Sequence, residues 1–269
     1  MTCEKGTFMK GVVLAGGLGT RLRPLTSCMN KHLLPVHDRP MIFYPLQTLA
    51  EAGILDVMVV VGGQSTEEIL KLLKDGREFG LKRLYYVYQE GEGGIAAALA
   101  LTEEFVDGEQ MCVILGDNIL ADSIYPAVED FQRSGKGAGL LITTVEDPQN
   151  YGCLVQTQGK PRIVEKPNSA SIDKDTQIVT GVYLYDSTVF DKIRRCKPSG
   201  RGELEITDVN NMYLEEGNWI FYCIQGFWGD AGSSIEGWMK VSSKVAEAQK
   251  QQMQKPYIVS NSLVQKVQR

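Results

Sequence analysis

Several familiar sequence signatures are missing from this 269-residue chain, and each absence removes a class of function. Its six cysteines include no C-x-x-C pair, so the spacing typical of a structural zinc site is absent. No apolar run approaches the roughly 20 residues that cross a bilayer, and residues 1–8 lack the apolar core of a signal peptide. We therefore expect no membrane association and reduced thiols in a cytoplasmic protein.

Concentrated positive charge and histidine are also scarce. The net charge is −5 and no polybasic block occurs, so a nucleic-acid partner is not expected. Only two histidines are present, His32 and His37, and neither stands in a motif with a nucleophilic serine or cysteine. The sequence therefore predicts no catalytic triad, and we expect His32 to be structural or to support a neighbouring site residue.

Strand and helix patterns alternate through the first half of the chain. A continuous apolar run at 57–61 is typical of a strand buried on both faces, and helical spacing occupies 40–52 and 95–105. Ser65-x-x-Glu68 resembles a capping box that opens another helix. This alternation predicts an α/β fold with a Rossmann-like, mainly parallel mixed sheet flanked by helices. The second half mixes a hairpin at 152–164 with helices at 187–195, 206–216 and 234–251.

The first apolar run is followed by Gly16-Gly17-Leu18-Gly19-Thr20-Arg21, here called the glycine loop. Its glycines allow backbone N–H groups to approach an anion, and Arg21 and Lys31 add two cations that suit a phosphate chain. The loop lacks the Gly-Lys-Ser/Thr of a P-loop. Leu22 stands where a dinucleotide-binding fingerprint requires a small residue, which disfavours a nicotinamide-dependent oxidoreductase.

Three polar residues, Gln89, Asp117 and Asp230, lie at the ends of predicted strands. Ligands of α/β sheets bind beyond the carboxyl ends of the strands, so these residues and the glycine loop are expected to share one crevice. The two carboxylates suit Mg²⁺, although a turn-capping role is open for Asp230. Gln89 offers a donor and an acceptor to a pyrimidine edge, or it is an ordinary exposed glutamine.

Taken together, the motifs resemble those of the sugar-1-phosphate nucleotidyltransferases, and most of all the thymidylyltransferases that act on glucose 1-phosphate. The similarity covers roughly residues 9–237 and begins with the glycine loop and the Asn-Lys-His-Leu-Leu-Pro-Val segment at 30–36. It continues in the same order through Gln89 with Gly93-Gly94, Gly116-Asp117-Asn118, Tyr151-Gly152, Glu165-Lys166-Pro167, residues 202–208 and Gly229-Asp230-Ala231-Gly232.

This resemblance implies a domain at 9–237, with a nucleotide half at about 9–117 and an inserted sugar-binding lobe at about 118–237, followed by a C-terminal helix and tail at 238–269. It implies Mg²⁺-dependent transfer of a thymidylyl group from dTTP to glucose 1-phosphate, with release of pyrophosphate, by a homo-oligomer. Two alternatives stay open: UTP or another nucleotide and sugar phosphate, and a non-catalytic regulatory subunit that binds nucleotide sugars.

The resemblance also implies roles for individual residues. Arg21, Lys31 and Lys166 are the implied catalytic cations, and Asp117 and Asp230 the implied metal ligands. The implied nucleotide site consists of Leu14, Ala15, Gly16, Gly17, Gly19, Thr20, Arg21, Gln89, Gly94 and Asp117. The implied sugar-phosphate site consists of Asn118, Tyr151, Gly152, Glu165, Lys166, Val179 and Glu203. From chemistry alone, Glu165 and Lys166 are equally compatible with a surface ion pair, and Glu203 with a carboxylate near a helix N-terminus.

Overall fold

The computed structural model describes residues 9–168, 172–173 and 175–254. Within them, thirteen strands occur in chain order: β1 (Lys10–Ala15), β2 (Pro35–Val36), β3 (Arg39–Pro40), β4 (Asp56–Gly62), β5 (Arg83–Gln89), β6 (Met111–Leu115), β7 (Asn118–Leu120), β8 (Ala138–Thr144), β9 (Gly152–Thr157), β10 (Lys160–Glu165), β11 (Gln177–Tyr185), β12 (Trp219–Cys223) and β13 (Trp228–Asp230). The helices are α1 (Phe43–Glu51), α2 (Thr66–Leu73), α3 (Ile95–Ala100), α4 (Glu103–Val106), α5 (Tyr125–Ser134), α6 (Val189–Arg195), α7 (Ile206–Glu216) and α8 (Ile235–Gln254). The predictions for residues 1–8 and for the tail after residue 254 lie outside the described residues.

A mixed sheet of nine strands forms the centre of the described chain, which confirms the predicted α/β class. Strands β6, β1, β4 and β5 are parallel neighbours. Strand β11 then pairs antiparallel with β6, β8 and β9, and β12 adds to β8 in parallel. The sheet runs without a break through both predicted halves, and their division near residue 117 stays a prediction.

Both faces of the parallel strands are buried, as their apolar sequences predict. Val12 and Leu14 pack into one core, whereas Val13 and Ala15 pack into the core on the opposite face. Alternation along a strand sends neighbouring side chains to opposite faces, so a continuous apolar run is required wherever helices cover both. This packing fixes the carboxyl ends of the strands, from which the site residues project.

A small antiparallel ribbon is formed by β7 and β13, with Asn118 opposite Asp230. Its register places Asp230 beside the residue that precedes β7, and the amide of Ala231 donates to the Asp117 carbonyl at 2.9 Å. We call β7, β13 and Asp117 the acid ribbon. Leu22 and Ala231 pack with Val241 and Val245 of α8, so the C-terminal helix supports both the glycine loop and the acid ribbon.

Several local predictions are wrong. Ser65 has a left-handed backbone with φ 64° and makes no side-chain cap, so α2 begins without the predicted capping box. The helix predicted over 95–105 divides into α3 and α4 near Thr102, whose hydroxyl donates to the Leu99 carbonyl at 2.8 Å. The helix predicted over 234–251, by contrast, is confirmed as α8 (Ile235–Gln254). Helix α5 and strand β7 were not predicted, and the strand predicted to lead to Asp230 is divided into β12 and β13.

No helix in the described part of the chain combines the length and hydrophobicity needed to span a bilayer. The cysteines of these residues (Cys28, Cys112, Cys153, Cys196 and Cys223) are all free thiols.

Candidate active site

A cavity of about 330 Å³ opens at the carboxyl ends of β1, β5 and β6, where an α/β sheet binds its ligands. It brings together most of the residues predicted for the site. The predicted residues that line it are Leu14, Gly16, Gly17, Arg21, Lys31, Gln89, Gly94, Asp117, Asn118, Tyr151, Gly152, Glu165, Lys166, Val179, Glu203 and Asp230.

Three predicted nucleotide-site residues do not line this cavity. Ala15 is fully buried in the core, and the Thr20 side chain is exposed outside it. Gly19 adopts a left-handed φ of 66°, and its carbonyl accepts a hydrogen bond from the Thr26 hydroxyl at 2.7 Å. A side chain at Gly19 would lie 2.9 Å from the Cβ atom of Lys31. Gly19 therefore turns the loop and makes room for Lys31.

At the acid ribbon, Asp117 is held through both carboxylate oxygens. The Lys31 ammonium forms an ion pair with Oδ2, and the carboxamide nitrogen of Asn118 donates to Oδ1 at 3.1 Å. Burial alone would raise the pKa of Asp117, but the charges of Lys31 and His32 and the hydrogen bonds from Lys31 and Asn118 together outweigh it and lower the pKa to about 2. Asp117 is therefore ionised at neutral pH.

Asp230 behaves in the opposite way. Burial, followed by the negative charge of Asp117, raises the pKa of Asp230 to about 7. The charges of Lys31 and Arg21 and a hydrogen bond from the Gly232 amide offset this increase only in part. A side chain at Gly232 would come within 2.1 Å of Asp117 Oδ2, so glycine is required beside the pair.

This donor set fits Mg²⁺. No cluster of three or more histidine, cysteine or acidic side chains suited to a metal occurs among residues 9–254 that the structure describes. Two carboxylates satisfy an ion that takes few protein oxygens and completes its coordination with water and substrate phosphate. A divalent cation would also neutralise the excess charge that raises the pKa of Asp230.

His32 lies directly behind Lys31. It is 1% exposed, and its Nδ1 lies 2.7 Å from the Asn30 side-chain oxygen. Burial and the neighbouring Lys31 charge lower the pKa of His32 to about 3, so the ring is neutral at physiological pH. The Asn30 side chain also caps the short 3-10 helix at 31–33, because its oxygen accepts a hydrogen bond from the His32 amide. The contacts of His32 are structural.

On the nucleotide side, Gln89 is 8% exposed, which rules out an ordinary surface glutamine. A side chain at Gly16 would lie 2.5 Å from Gln89 Oε1, so the carboxamide packs directly on the glycine loop. Gly94 adopts φ 87°, and a side chain there would lie 2.7 Å from the Leu204 carbonyl. The segment containing Glu203 thus packs on the loop predicted to contact the base.

On the sugar side, the contacts of Glu165 and Lys166 extend beyond a simple surface ion pair. The Thr207 hydroxyl donates to Glu165 Oε2 at 2.9 Å, and the Lys166 amide donates to the Tyr151 carbonyl at 3.0 Å. Lys166 has φ 44°, a conformation that costs a lysine energy and that is common at functional positions. Its ammonium lies 3.7 Å from Glu165 Oε1 and lines the cavity.

Asn118, predicted as a sugar ligand, has most of its polar capacity engaged within the protein. Its Oδ1 accepts from the Gly181 amide and from the Trp228 indole N–H, both at 2.8 Å. Gly181 lies within an irregularity of the β11–β8 pairing, between Val179 and Tyr183. Its Nδ2 also donates to Asp117, so the carboxamide positions the acid ribbon. Only the second N–H of Nδ2 is available to contact a sugar.

Further polar or aromatic residues line the cavity without having been predicted, among them Tyr183, Thr207, Asn210 and Trp228. Two sequence signals could have indicated the last three. Thr207 and Asn210 follow Glu203 at the spacing of one helix face, and Trp228 stands next to the Gly229-Asp230 motif.

Comparison with known proteins assigns this chain to a family. The model of the nucleotidyl transferase family matches residues 10–248, almost all of the described chain. The chain belongs to the nucleotidyl transferase family. This nucleotidyl transferase is 39% identical over 228 residues to a glucose-1-phosphate thymidylyltransferase of Neisseria meningitidis, an alignment covering 84% of this chain and 78% of the relative. It is therefore an enzyme.

Solved structures support the same placement. The nucleotidyl transferase superimposes on a provisionally assigned glucose-1-phosphate thymidylyltransferase of Bacillus anthracis, crystallised with a sucrose, with a TM-score of 0.81. The two are 43% identical, and the match covers 88% of this chain and 94% of the other. A UDP-glucose pyrophosphorylase bound to UDP-glucose gives a TM-score of 0.76 at 25% identity, over 89% and 99% of the two chains.

Proposed function

We propose that this enzyme transfers a thymidylyl group from dTTP to glucose 1-phosphate, giving dTDP-glucose and pyrophosphate. The names of its relatives support the substrates. The observation that carries the proposal is one cavity lined by the cations Arg21 and Lys31, the carboxylates Asp117 and Asp230, and the Glu165–Lys166 pair. Such a set matches a triphosphate, a metal ion and a phosphorylated sugar.

The proposed reaction is a single in-line displacement. An oxygen of the sugar phosphate attacks the α-phosphorus of dTTP, forming a new P–O bond. The bond between the α-phosphorus and the oxygen bridging to the β-phosphate breaks, and its electron pair leaves with pyrophosphate. The attacking phosphate is already largely ionised at pH 7, so no general base is required. Catalysis then consists of positioning and charge neutralisation.

The protein side chains divide this work. Lys166 binds the sugar phosphate, and Glu165 accepts hydrogen bonds from sugar hydroxyls. Arg21 stabilises the departing pyrophosphate, and Lys31, already anchored on Asp117, neutralises charge beside the α-phosphate. Asp117 and Asp230 would hold Mg²⁺, which when bound supplies a Lewis acid and a template for the phosphates.

Nucleotide choice rests on a small energy difference. A methyl group in an apolar pocket changes binding by about 1–3 kcal/mol, so a preference for dTTP over UTP is modest by nature. Gln89, fixed against Gly16, is the group proposed to read the pyrimidine edge. We further propose that the enzyme is cytoplasmic and forms a homo-oligomer, as the family resemblance implies.

The decisive measurement is pyrophosphate release with Mg²⁺ and glucose 1-phosphate against dTTP, UTP, CTP, ATP and GTP in turn. We expect release with dTTP to exceed the others. Release with a different nucleotide would keep the chemistry and change the specificity. Binding of dTTP without release from any sugar phosphate would favour a regulatory subunit, against which stands the presence of every implied cation and carboxylate.

A further inference from the structure

One face of α7 forms the inner wall of the cavity. Ile206, Thr207 and Asn210 line it, at the spacing of one helix face. The rotation of this helix is fixed by Asn211, which accepts from the Ile163 amide and donates to the Ile163 carbonyl, both at 2.9 Å. The side chains that α7 presents to the cavity are therefore set by a two-bond clamp to β10.

Asn210 is 1% exposed, and only half of its carboxamide is satisfied. Its Oδ1 accepts from the Tyr185 hydroxyl at 2.5 Å. Its Nδ2 has no hydrogen-bond partner among residues 9–254 that the structure describes, and it is not sealed off from solvent. The nitrogen is thus open to the cavity that Asn210 lines. A donor that faces a binding cavity without a protein partner is available to a ligand atom there.

The orientation of this amide is imposed from behind. Tyr185 is fully buried and lies in a stack of three rings, 5.8 Å from Tyr183 and 5.9 Å from Tyr213, with interplanar angles of 19° and 20°. Its hydroxyl can move little within such a stack. Because that hydroxyl binds the carboxamide oxygen, the carboxamide nitrogen is directed toward the cavity.

From this geometry we propose that Asn210 is a specificity-determining residue whose carboxamide N–H donates to a hydroxyl oxygen of the sugar. Tyr185 acts through Asn210 as a positioning residue. The inference rests on the proposed function, because it takes the ligand to be a neutral, hydroxyl-bearing sugar. On the same wall, the Glu165 carboxylate accepts a hydrogen bond from the Thr207 hydroxyl and also lines the cavity. Asn210 of α7 thus offers a donor to a sugar, and Glu165 of β10 offers an acceptor.

The test compares glucose 1-phosphate with its 2-, 3-, 4- and 6-deoxy analogues in the wild type and in Asn210→Leu, using dTTP. We expect the wild type to discriminate against one analogue in particular, because a site built to bind a hydroxyl is left unpaired without it. Asn210→Leu should reduce that single kcat/KM ratio by about tenfold or more and leave the other ratios unchanged. An equal change in all the ratios, or no change, would overturn the inference.

A matched pair of tyrosine variants tests the positioning role. Tyr185→Phe and Tyr213→Phe each remove a hydroxyl from the same stack, but the Tyr213 hydroxyl binds Asp186, away from the cavity. Tyr185→Phe should reduce discrimination against the same analogue, and Tyr213→Phe should not. If both variants lower the discrimination against the analogue equally, Tyr185 has only a structural role. This pair also keeps the inference testable if Asn210→Leu does not fold.

Calorimetry separates the inference from the proposed function, since it requires no turnover. Asn210→Leu should bind dTDP-glucose about tenfold more weakly than the wild type and should bind dTDP equally well. That result would support the inference even if the turnover assay failed. Equal binding of dTDP-glucose by both proteins would overturn it, even if thymidylyl transfer were confirmed.

Discussion

In the glycine loop, Gly17, Thr20 and Arg21 are exposed, and Arg21 makes no hydrogen bond or ion pair with any residue that the structure describes. In the acid ribbon, by contrast, Asn118 is 2% exposed and its carboxamide makes three hydrogen bonds. Both regions line the same cavity. The glycine loop presents a cation that no protein group bonds directly, and the acid ribbon holds a carboxylate that is bonded through both oxygens.

This contrast indicates two ways of preparing charge for a phosphate. The carboxylate of Asp117 is fixed before any ligand arrives, so little reorganisation is required when a cation binds there. Arg21 is exposed and has no such bonds, so its side chain would lose conformational entropy on binding a phosphate. Substitutions in the loop should therefore change catalysis with little effect on stability, whereas substitutions in the ribbon should change both.

The largest effect on activity is expected from Arg21→Ala. Removal of a cation that stabilises a departing anion should lower kcat by about 100-fold or more. The melting temperature should not change, because no protein partner is lost. Steady-state kinetics and thermal melting measure the two quantities. Arg23→Ala is the matched control, since Arg23 is exposed two residues away and does not line the main cavity. Near-normal kcat in Arg21→Ala would remove this residue from the mechanism.

Trp228→Phe in the acid ribbon is expected to have a smaller effect on activity and to lower stability as well. The substitution keeps an aromatic ring and removes the indole N–H that binds Asn118. We expect a loss of about 1–2 kcal/mol in the free energy of unfolding, and a lower kcat because the support of Asp117 is loosened. Trp238→Phe removes a comparable indole bond, to the Pro35 carbonyl at 2.9 Å, from a half-buried position outside the acid ribbon. If both variants behave alike in denaturant titration and kinetics, the ribbon is no more rigid than the surface.

The glycine loop could be predicted from sequence because its chemistry is local. A short run of glycines next to a cation predicts phosphate binding, and the strand-end rule correctly predicts that Gln89, Asp117 and Asp230 meet in one crevice. Local information does not say which loop residues face the ligand. Hence Ala15, Gly19 and Thr20 belong to the motif without lining the cavity.

The acid ribbon could not be predicted because its partners are remote in sequence. Asn118 binds Gly181 and Trp228, which lie 63 and 110 residues further along the chain. Strands β7 and β13 have three residues each, too few for a periodic pattern to indicate them. The capping box at Ser65 failed for a related reason, since a side-chain motif cannot report the left-handed backbone observed there.

The smallest expected effect concerns pH and distinguishes the two carboxylates of the site. The pKa of Asp230 is about 7 in the folded protein and near 3.8 when unperturbed. Between these values the folded state binds more protons than the unfolded state, so the metal-free protein should lose stability as pH rises from about 4 to about 7. Asp230→Asn should remove this loss and stabilise the protein at pH 8 by on the order of 1 kcal/mol.

Asp117→Asn is expected to change stability in the opposite direction. The pKa of Asp117 is lowered to about 2, so its ionised form contributes stability at all pH values above about 4, and this contribution is lost only as pH falls toward 2. Its removal leaves Lys31 without its ion-pair partner, so this variant should be less stable than the wild type at pH 8. Urea titrations at pH 5 and pH 8 in a chelator measure both variants. If Asp230→Asn raises and Asp117→Asn lowers the free energy of unfolding at pH 8, Asp230 is the carboxylate whose charge a divalent cation would neutralise. Changes of the same sign in both variants would refute this distinction between the two carboxylates.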